Sequence, residues 1–554
     1  MNISDFIKFC EEKGFFYSSE KIYGGVTGFY DYGSLGKIIE LKFENLWRKY
    51  FLKLYDNFWE IETSEIMKEE VFEASGHLKL FNDPIVECKK GHRHRADKLI
   101  EEKLGIKAES LTIDEMNKLF ENGEILCPDC GSKLSKVRLF NLMIPTVVGP
   151  EQNIFLVLED FIKNDNFEKE KLFQSYREFL ENRYFLRPET AQGAYVNFPI
   201  EIIINRYRLP IGLAIIGKAY RNEISPRNAL LRMREFRQAE LQIFFDYNDF
   251  DDFYERIKEN YLNVLLFEDR EKNIDFKKIK IKDLEYKLPK SYLYFMYKIQ
   301  RFYLDVLKIP EDKIRFFELS ENEKSFYNMY HFDIEIFVED LGWIEVGGIH
   351  FRVIKVRKKD LEILEDKKLK ENLLELFNDK EEIMVGYDLW NHMLKSKNTG
   401  FIVLKNNKKI VPLELELSFG IDRNIFSIIR IFYDEKENVL RLPIYLSPIE
   451  VSIFPLLESN EKHVNKAKEV YNLLKYSFNV YYDDSGSIGK RYKRQDSIGT
   501  PFCITIDEQT FVDNSVTIRF RDTREQIRIK IDEIKKLLKE KLSLDFLEEV
   551  IKDM

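Results

Sequence analysis

The stretch 411–423, VPLELELSFGIDR, alternates strictly: Val411, Leu413, Leu415 and Leu417 fall on one side, Glu414, Glu416 and Ser418 on the other, and Gly420 then opens an apolar run with Arg423 near its start. Alternation with period two predicts a strand with one buried face, and the change of period after Gly420 predicts a helix from about Ile421. A strand of this kind needs partners to pair with and a layer to cover it, so the chain must build a sheet packed against helices. Taken alone, acids on such a strand are a wet face. Strand, glycine and helix-start arginine together also make a good phosphate site, because helix N-terminal amides and a guanidinium both favour negative charge.

A second stretch, 217–246, has the form of a hairpin. Arg221 and Glu223, two apart, are expected on one strand face; after a loop with Pro226, Arg232, Arg234, Phe236, Gln238 and Glu240 share the even face, while Leu241, Ile243 and Phe245 point into a core. Guanidiniums so placed could bind phosphate, with Phe236 stacking a purine; the plain alternative is a solvated charged face. In RPETAQGAY (187–195), Glu189 and Thr190 precede an expected helix, and the strand GWIEVGG (342–348) carries Glu345 between Ile344 and Val346.

At 554 residues the chain should hold three or four units. Hydrophobic residues at 44% and aromatics at 14% exclude extensive disorder, and a net charge of −9 excludes a polybasic binder, so any nucleic-acid contact must be local. Five cysteines are too few for a disulfide framework, which points to a reducing, cytoplasmic setting. The N-terminal residues lack a signal-peptide pattern and the longest apolar candidate, 198–220, is broken by Glu201, Arg206, Arg208 and Lys218, so neither secretion nor a membrane span is expected.

Residues 1–85 contain a Gly/Tyr-rich turn and a helical pattern over 37–54; 86–141 change composition and read as an inserted module; 142–250 return to apolar strands and turns. Lys/Glu-rich segments near 251–330 and 355–395 are expected to be helical and to lie as insertions outside the sheet. The prolines of RLPIYLSP mark a boundary, and 442–554 alternates strands and helices as an α/β domain. In the inserted module, CPDCG (127–131) has zinc-knuckle spacing; Cys127 and Cys130, with Cys88 and His92 or His94 as candidate third and fourth ligands, would hold a structural Zn²⁺, the alternative being a metal-free remnant. Cys10 and Cys503 read as small buried hydrophobes. Lys490, Arg491, Lys493 and Arg494, after Ser487 as expected N-cap, form a basic helix that is either a solvated face or a local phosphate contact.

Taken in order, GFYDYGSLG with its helix, RPETAQG, YRNEISPR with RMREFRQAE, and ELSFGIDR resemble motifs 1 to 3 and a signature of the class II aminoacyl-tRNA synthetases, most closely the glycyl-tRNA synthetase family of the α2 homodimer type. LSPIEVSIFPL and DDSGSIGKRYKRQDSIGTPFCITID resemble that family's anticodon-binding domain. The resemblance covers nearly the whole chain apart from the two helical segments. It implies a mixed α/β (α+β) architecture: an antiparallel-sheet catalytic domain, a small zinc-ribbon-like insertion and a C-terminal anticodon-binding domain.

Carried over by position, the resemblance implies that Arg221, Asn222, Glu223, Arg232, Met233, Phe236, Glu345, Val346 and Arg423 bind ATP, with Arg221 on the α-phosphate, Phe236 on adenine and Glu345 toward Mg²⁺. Arg221, Glu223 and Arg423 would carry catalysis; Arg95, Glu189, Glu240, Glu416 and Ser418 would hold glycine; and Lys490, Arg491, Lys493 and Arg494 would touch tRNA(Gly). A glycine pocket needs no editing site, because filling the space at Cα rejects every larger side chain. The alternatives are a non-catalytic synthetase-like accessory protein that binds nucleic acid, and another class II synthetase. Leu417 and Ser34 stand where the family usually has proline, and GGIHFRVIKV replaces the family's acidic continuation after Glu345.

Overall fold

The computed structural model describes residues 1–554 except 107, 109, 110, 124, 149–157, 160, 161, 164–168, 227, 553 and 554. Part of the 142–250 stretch read as strands and turns therefore lies outside the described residues.

The catalytic unit is built on a nine-stranded sheet. Its strands are β1 (Phe58–Glu60), β2 (Ile211–Tyr220), β3 (Glu235–Phe245), β4 (Tyr261–Leu265), β5 (Lys277–Lys280), β6 (Ile314–Glu318), β7 (Tyr330–Val338), β8 (Gly342–Phe351) and β9 (Leu413–Gly420). They lie in the order β5-β4-β6-β7-β8-β9-β3-β2-β1, antiparallel except for the β4/β6 and β2/β1 pairs.

The alternation of 411–423 is realised as β9, followed directly by the helix Ile421–Phe432. Leu413, Leu415, Leu417 and Phe419 enter the main core, where Phe419 meets Phe51 and Trp47 of the helix Ser34–Phe51 at ring-centroid distances of 4.8 and 5.9 Å. Val411 departs from the expected pattern: it precedes β9 and packs in a second core on the other side of the sheet. That second core, with the helices Gln192–Ile204 and Tyr387–Ser396, also explains why Glu414, Glu416 and Ser418 do not form a wet face. All three are buried.

The motif 1 helix starts at Ser34, three residues earlier than periodicity suggested. Its first turn is pinned by Gly36, where a Cβ would lie 1.7 Å from the Phe15 carbonyl oxygen. Serine in place of proline opens this helix without difficulty, since either suits a first turn. Leu417 sits in β9 opposite Leu241 on one side and Ile349 on the other. A central strand can use the N–H that proline lacks.

The two Lys/Glu-rich segments are not external helical decorations. Residues 251–330 contribute β4, β5 and β6 and the helix Lys290–Arg301, whose Tyr292, Phe295 and Ile299 join the main core. Lysines along the edge strand β5 mask its alternation and at the same time blunt a sheet edge. Residues 353–396 form a strand pair, Val353–Arg357 with Glu382–Gly386, and two helices, Lys367–Phe377 and Tyr387–Ser396, that close the second core.

The inserted module has its own core of Val86, Leu99, Ile100, Met116 and Phe120 under the strands Asn82–Glu87, Arg93–Arg95 and Arg138–Asn141. The C-terminal domain carries β10 (Val451–Pro455), β11 (Val480–Tyr482), β12 (Phe502–Ile506), β13 (Ser515–Phe520) and β14 (Gln526–Lys530) in the order β11-β10-β12-β13-β14. Its final helix, Phe546–Lys552, turns back onto the catalytic unit: Leu547 and Val550 join the main core, and the Lys298 ammonium donates to the Ile551 carbonyl at 2.8 Å.

Candidate active site

Strand register sets the floor of a cleft lined by residues of β3, β7, β8 and β9. On one row, His331 of β7 lies opposite His350 of β8, His350 opposite Glu416 of β9, and Glu416 opposite Gln242 of β3. On the next row the order is Asp333, Gly348, Ser418 and Glu240. The even-face reading of β3 and β9 therefore brings Glu240, Glu416 and Ser418 together as expected. Glu189, just before the helix Gln192–Ile204, joins them in the cavity wall.

These acids are organised by a residue the sequence did not single out. Arg352, fully buried just beyond β8, reaches Glu416 and Asp388 at 2.8 Å each and Glu189 at 3.4 Å. Its guanidinium lies over the Tyr327 ring, 3.8 Å from the centroid. Gln192 donates to Glu189 (3.0 Å) and Asp388 (3.1 Å); Thr190 and Ser418 hydroxyls donate to Glu240 at 2.7 and 3.0 Å. Sequence reasoning missed Arg352 and Asp388 because each is a lone charge in a stretch without readable pattern. Only the fold joins them.

Crowding acids in one buried place splits their proton affinities. Burial drives the Glu416 carboxyl up to about 8 against the pull of Arg352. Burial, with Glu189 nearby, likewise raises Glu240. Burial would raise Glu189 too, but His77 at 3.5 Å and Arg352 hold it well below the usual carboxylate range.

The other half of the cleft is cationic. β2 ends at Tyr220 and β3 begins at Glu235, so Arg221, Glu223, Arg232 and Arg234 lie on the connection between strands rather than on strand faces as expected. Pro226 has no N–H to extend the ladder, and the Asn222 N–H is spent on the Leu142 carbonyl, 2.8 Å away. The loop nevertheless delivers its side chains. Arg221 donates to the Pro188 carbonyl (3.0 Å), and its guanidinium lies 5.2 Å from the ring centroids of both Phe81 and Phe236. Glu223 accepts from two nitrogens of Arg232, at 2.8 and 2.6 Å.

Arg423, in the first turn after Gly420, donates to the Leu231 and Glu345 carbonyls at 3.0 Å each and pairs with the Glu345 carboxylate at 2.9 Å. Burial would raise Glu345, but Arg423 prevails and lowers it. Arg232, Met233, Phe236, Glu345, Val346 and Arg423 all line the cavity. Asn222 does not line it. Nor does Arg95, which is held by Asp97 (3.0 Å) and by Asp83 (3.3 Å), the latter also 3.9 Å from Arg232.

In the inserted module, one ligand atom from each of Cys88, His92, Cys127 and Cys130 lies within 4.8 Å of the others, so the sulfur–nitrogen set that spacing suggested does converge. Three thiols and an imidazole in this arrangement fit a tetrahedral Zn²⁺. His94 is also close, with Nε2 at 3.4 Å from the Cys127 sulfur, in an overlapping group with Asp129.

The basic helix Ile488–Ile498 is more divided than expected. Lys490 and Lys493 are exposed, but Arg491 is buried, donating to the Pro455 and Asp484 carbonyls and pairing with Glu458 at 3.2 Å. Arg491 thus fastens its helix to β10 and the loop after β11 and presents no cation to solvent. Arg494 is exposed and held to Asp483 at 2.7 Å. Ser487 occupies the N-cap position without making a side-chain cap bond.

Comparison with known proteins gives a consistent result. Residues 173–353 match the tRNA synthetase class II core domain (G, H, P, S and T), and residues 450–541 match an anticodon binding domain. The chain is 38% identical to a glycine--tRNA ligase of Pyrococcus furiosus over 95% of this chain and 97% of that one. It is 34% identical to a glycine--tRNA ligase of Methanococcus vannielii over 97% and 99% respectively. The fold is shared with a prolyl-tRNA synthetase of Cryptosporidium parvum, with a TM-score of 0.50 at 14% identity, over 99% of this chain and 76% of that one.

Proposed function

The chain belongs to the glycine--tRNA ligases, class II enzymes that join glycine to tRNA at the expense of ATP, and from that premise we propose which of its residues perform each task. The observation that carries the assignment is the single cavity in which Glu189, Glu240, Glu416 and Ser418 face Arg221, Arg232 and Arg423. An accessory protein has no need of such a pairing of an acidic pocket with an arginine-lined one.

Glycine's ammonium enters among Glu189, Glu240, Glu416 and Ser418. Phe236 stacks adenine; Arg221, Arg232 and Arg423 neutralise the phosphates, with Glu223 releasing Arg232 to them. Val346 and Met233 give the nucleotide apolar contact. The glycine carboxylate attacks the α-phosphorus in line, pyrophosphate leaves, and a terminal ribose hydroxyl of tRNA then takes the glycyl group from the adenylate with release of AMP. Positioning and charge neutralisation supply the acceleration. Mg²⁺ suits the Glu345 edge, where one or two carboxylates and substrate phosphates are its usual partners. When bound it would offset phosphate charge. Arg95, one layer behind Arg232, acts through Asp83 and not by touching glycine.

Amino-acid-dependent ATP–pyrophosphate exchange against all twenty amino acids tests the assignment: exchange with glycine alone is expected, and exchange with another amino acid would overturn the pocket. Lys490 and Lys493, with the exposed part of Arg494, are the tRNA-facing cations. In a Lys490→Glu/Lys493→Glu variant, exchange should persist while the KM for tRNA(Gly) rises.

Cys88, His92, Cys127 and Cys130 hold a structural Zn²⁺ in this reading, with thiols kept reduced in the cytoplasm. Metal analysis should return one zinc per chain, lost in Cys127→Ser; a metal-free wild-type chain would refute it. A homodimer is favoured by the outer side of β1, which pairs with no further strand among the described residues and where exposed Trp59 shares a hollow with exposed Ile204. Among the described residues no helix is long and apolar enough to cross a membrane.

A further inference from the structure

The segment that departs from the family after Glu345 contains His350, and the roles above leave this residue unused. We propose that His350, backed by His331, is the steric wall that confines the amino-acid pocket to glycine. The proposal rests on the acidic pocket assigned above and adds the element that closes it.

The two-row floor has one position without a side chain, Gly348, flanked by Ser418 on β9 and Asp333 on β7. The imidazoles lean over this gap. A Cβ built on Gly348 would come 2.6 Å from His350 Nε2 and 3.4 Å from His331 Nε2. His350 Nε2 also lies 3.4 Å from Glu416 Oε1, so the ring stands directly beside the acids that receive the ammonium.

The wall is held from behind. The two imidazole rings pack with centroids 4.1 Å apart, the Asn328 side chain meets His350 Nδ1 at 3.0 Å, and His331 Nε2 lies 3.2 Å from Asp333. Both histidines line the cavity, and both are buried or nearly so. Burial, with His331 and Arg352 close by, lowers the His350 pKa well below its usual value, so the ring is neutral and does not repel the substrate's ammonium. A rigid uncharged ring beside the ammonium site occupies the volume into which a substituent on Cα would have to project, and rejection of one methyl group is the kind of discrimination that shape alone supplies.

The test is exchange kinetics with glycine and alanine on the full chain. His350→Ala should raise the alanine-to-glycine ratio of kcat/KM by roughly 10- to 100-fold, the range that one methyl group's space is worth, with the KM for ATP unchanged. Gly348→Ala should drive the imidazole into the pocket and raise the KM for glycine, with no gain in the alanine-to-glycine ratio. His350→Asn, which keeps a polar partner for Asn328 in a smaller volume, guards against simple misfolding; it should fall between wild type and His350→Ala. An unaltered ratio in both folded His350 variants would overturn the wall. If Glu240→Gln also left the KM for glycine unchanged, the pocket itself would be misplaced; if that variant lost glycine while the ratio stayed fixed, only the wall would fail.

Discussion

Replacing Arg221 by alanine is expected to reduce glycine-dependent ATP–pyrophosphate exchange by about a thousandfold while the chain stays folded, since removing one preorganised charge-stabilising donor commonly costs 10²–10³ in rate. The geometry separates the two effects. Arg221 sits on a loop, makes one backbone hydrogen bond through its side chain, to Pro188, and lies between two aromatic rings. Losing these contacts costs little in folding compared with losing the cation that meets the α-phosphate. Exchange kinetics together with a thermal melt check the result: a folded variant with near-normal exchange would remove Arg221 from the phosphate site. Arg221→Lys should recover only part of the rate, because an ammonium cannot reproduce a planar fork held between rings.

Arg352→Ala has the opposite balance, with a large loss in stability as well as in activity. Arg352 is fully buried and is the shared partner of Glu189, Asp388 and Glu416. Breaking a buried ion pair by removing one partner costs about 3–5 kcal/mol, because the remaining charge is left uncompensated. Part of that cost is relieved as the carboxyls take up protons. Glu416 already holds its proton to about pH 8, so Glu189 is the group whose pKa must move most. The sign follows: without Arg352, Glu189 loses a partner that lowers its pKa, so the variant's deficit should be smallest in acid and grow as pH rises through the carboxylate range. Urea unfolding at several pH values, with the KM for glycine measured in parallel, checks this. Equal destabilisation at all pH values would show that Arg352 acts by packing alone.

The acids of this pocket show how local pattern and tertiary context divide the work. Alternation placed Glu414, Glu416 and Ser418 on one face of a strand and Glu240 on the matching face of another, and both placements hold in the sheet. Alternation also predicted that such a face is wet. It is dry because the helices Gln192–Ile204 and Tyr387–Ser396 cover it, and the second of these comes from a Lys/Glu-rich segment whose polar surface hid its buried side. The same masking concealed β4, β5 and β6.

Arg491 and Lys490 make the point from the other direction. Adjacent cations in one basic run are equivalent to any reading of charge, yet a 100° step around the helix turns Arg491 inward onto carbonyls and leaves Lys490 in water.

What the sequence determined by itself is whatever depends on near neighbours in the chain: the period of β9, the glycine that ends it, the helix-start Arg423, the CPDCG knuckle and the order of the motifs. Tertiary structure alone decided that Arg352 would meet Glu189, Asp388 and Glu416, that His77 would meet Glu189, and that His350 and His331 would pack together beside them. Those contacts join residues far apart in the chain through strand register and helix packing. No local period encodes such a meeting, because each residue's own neighbours are satisfied whether or not it occurs.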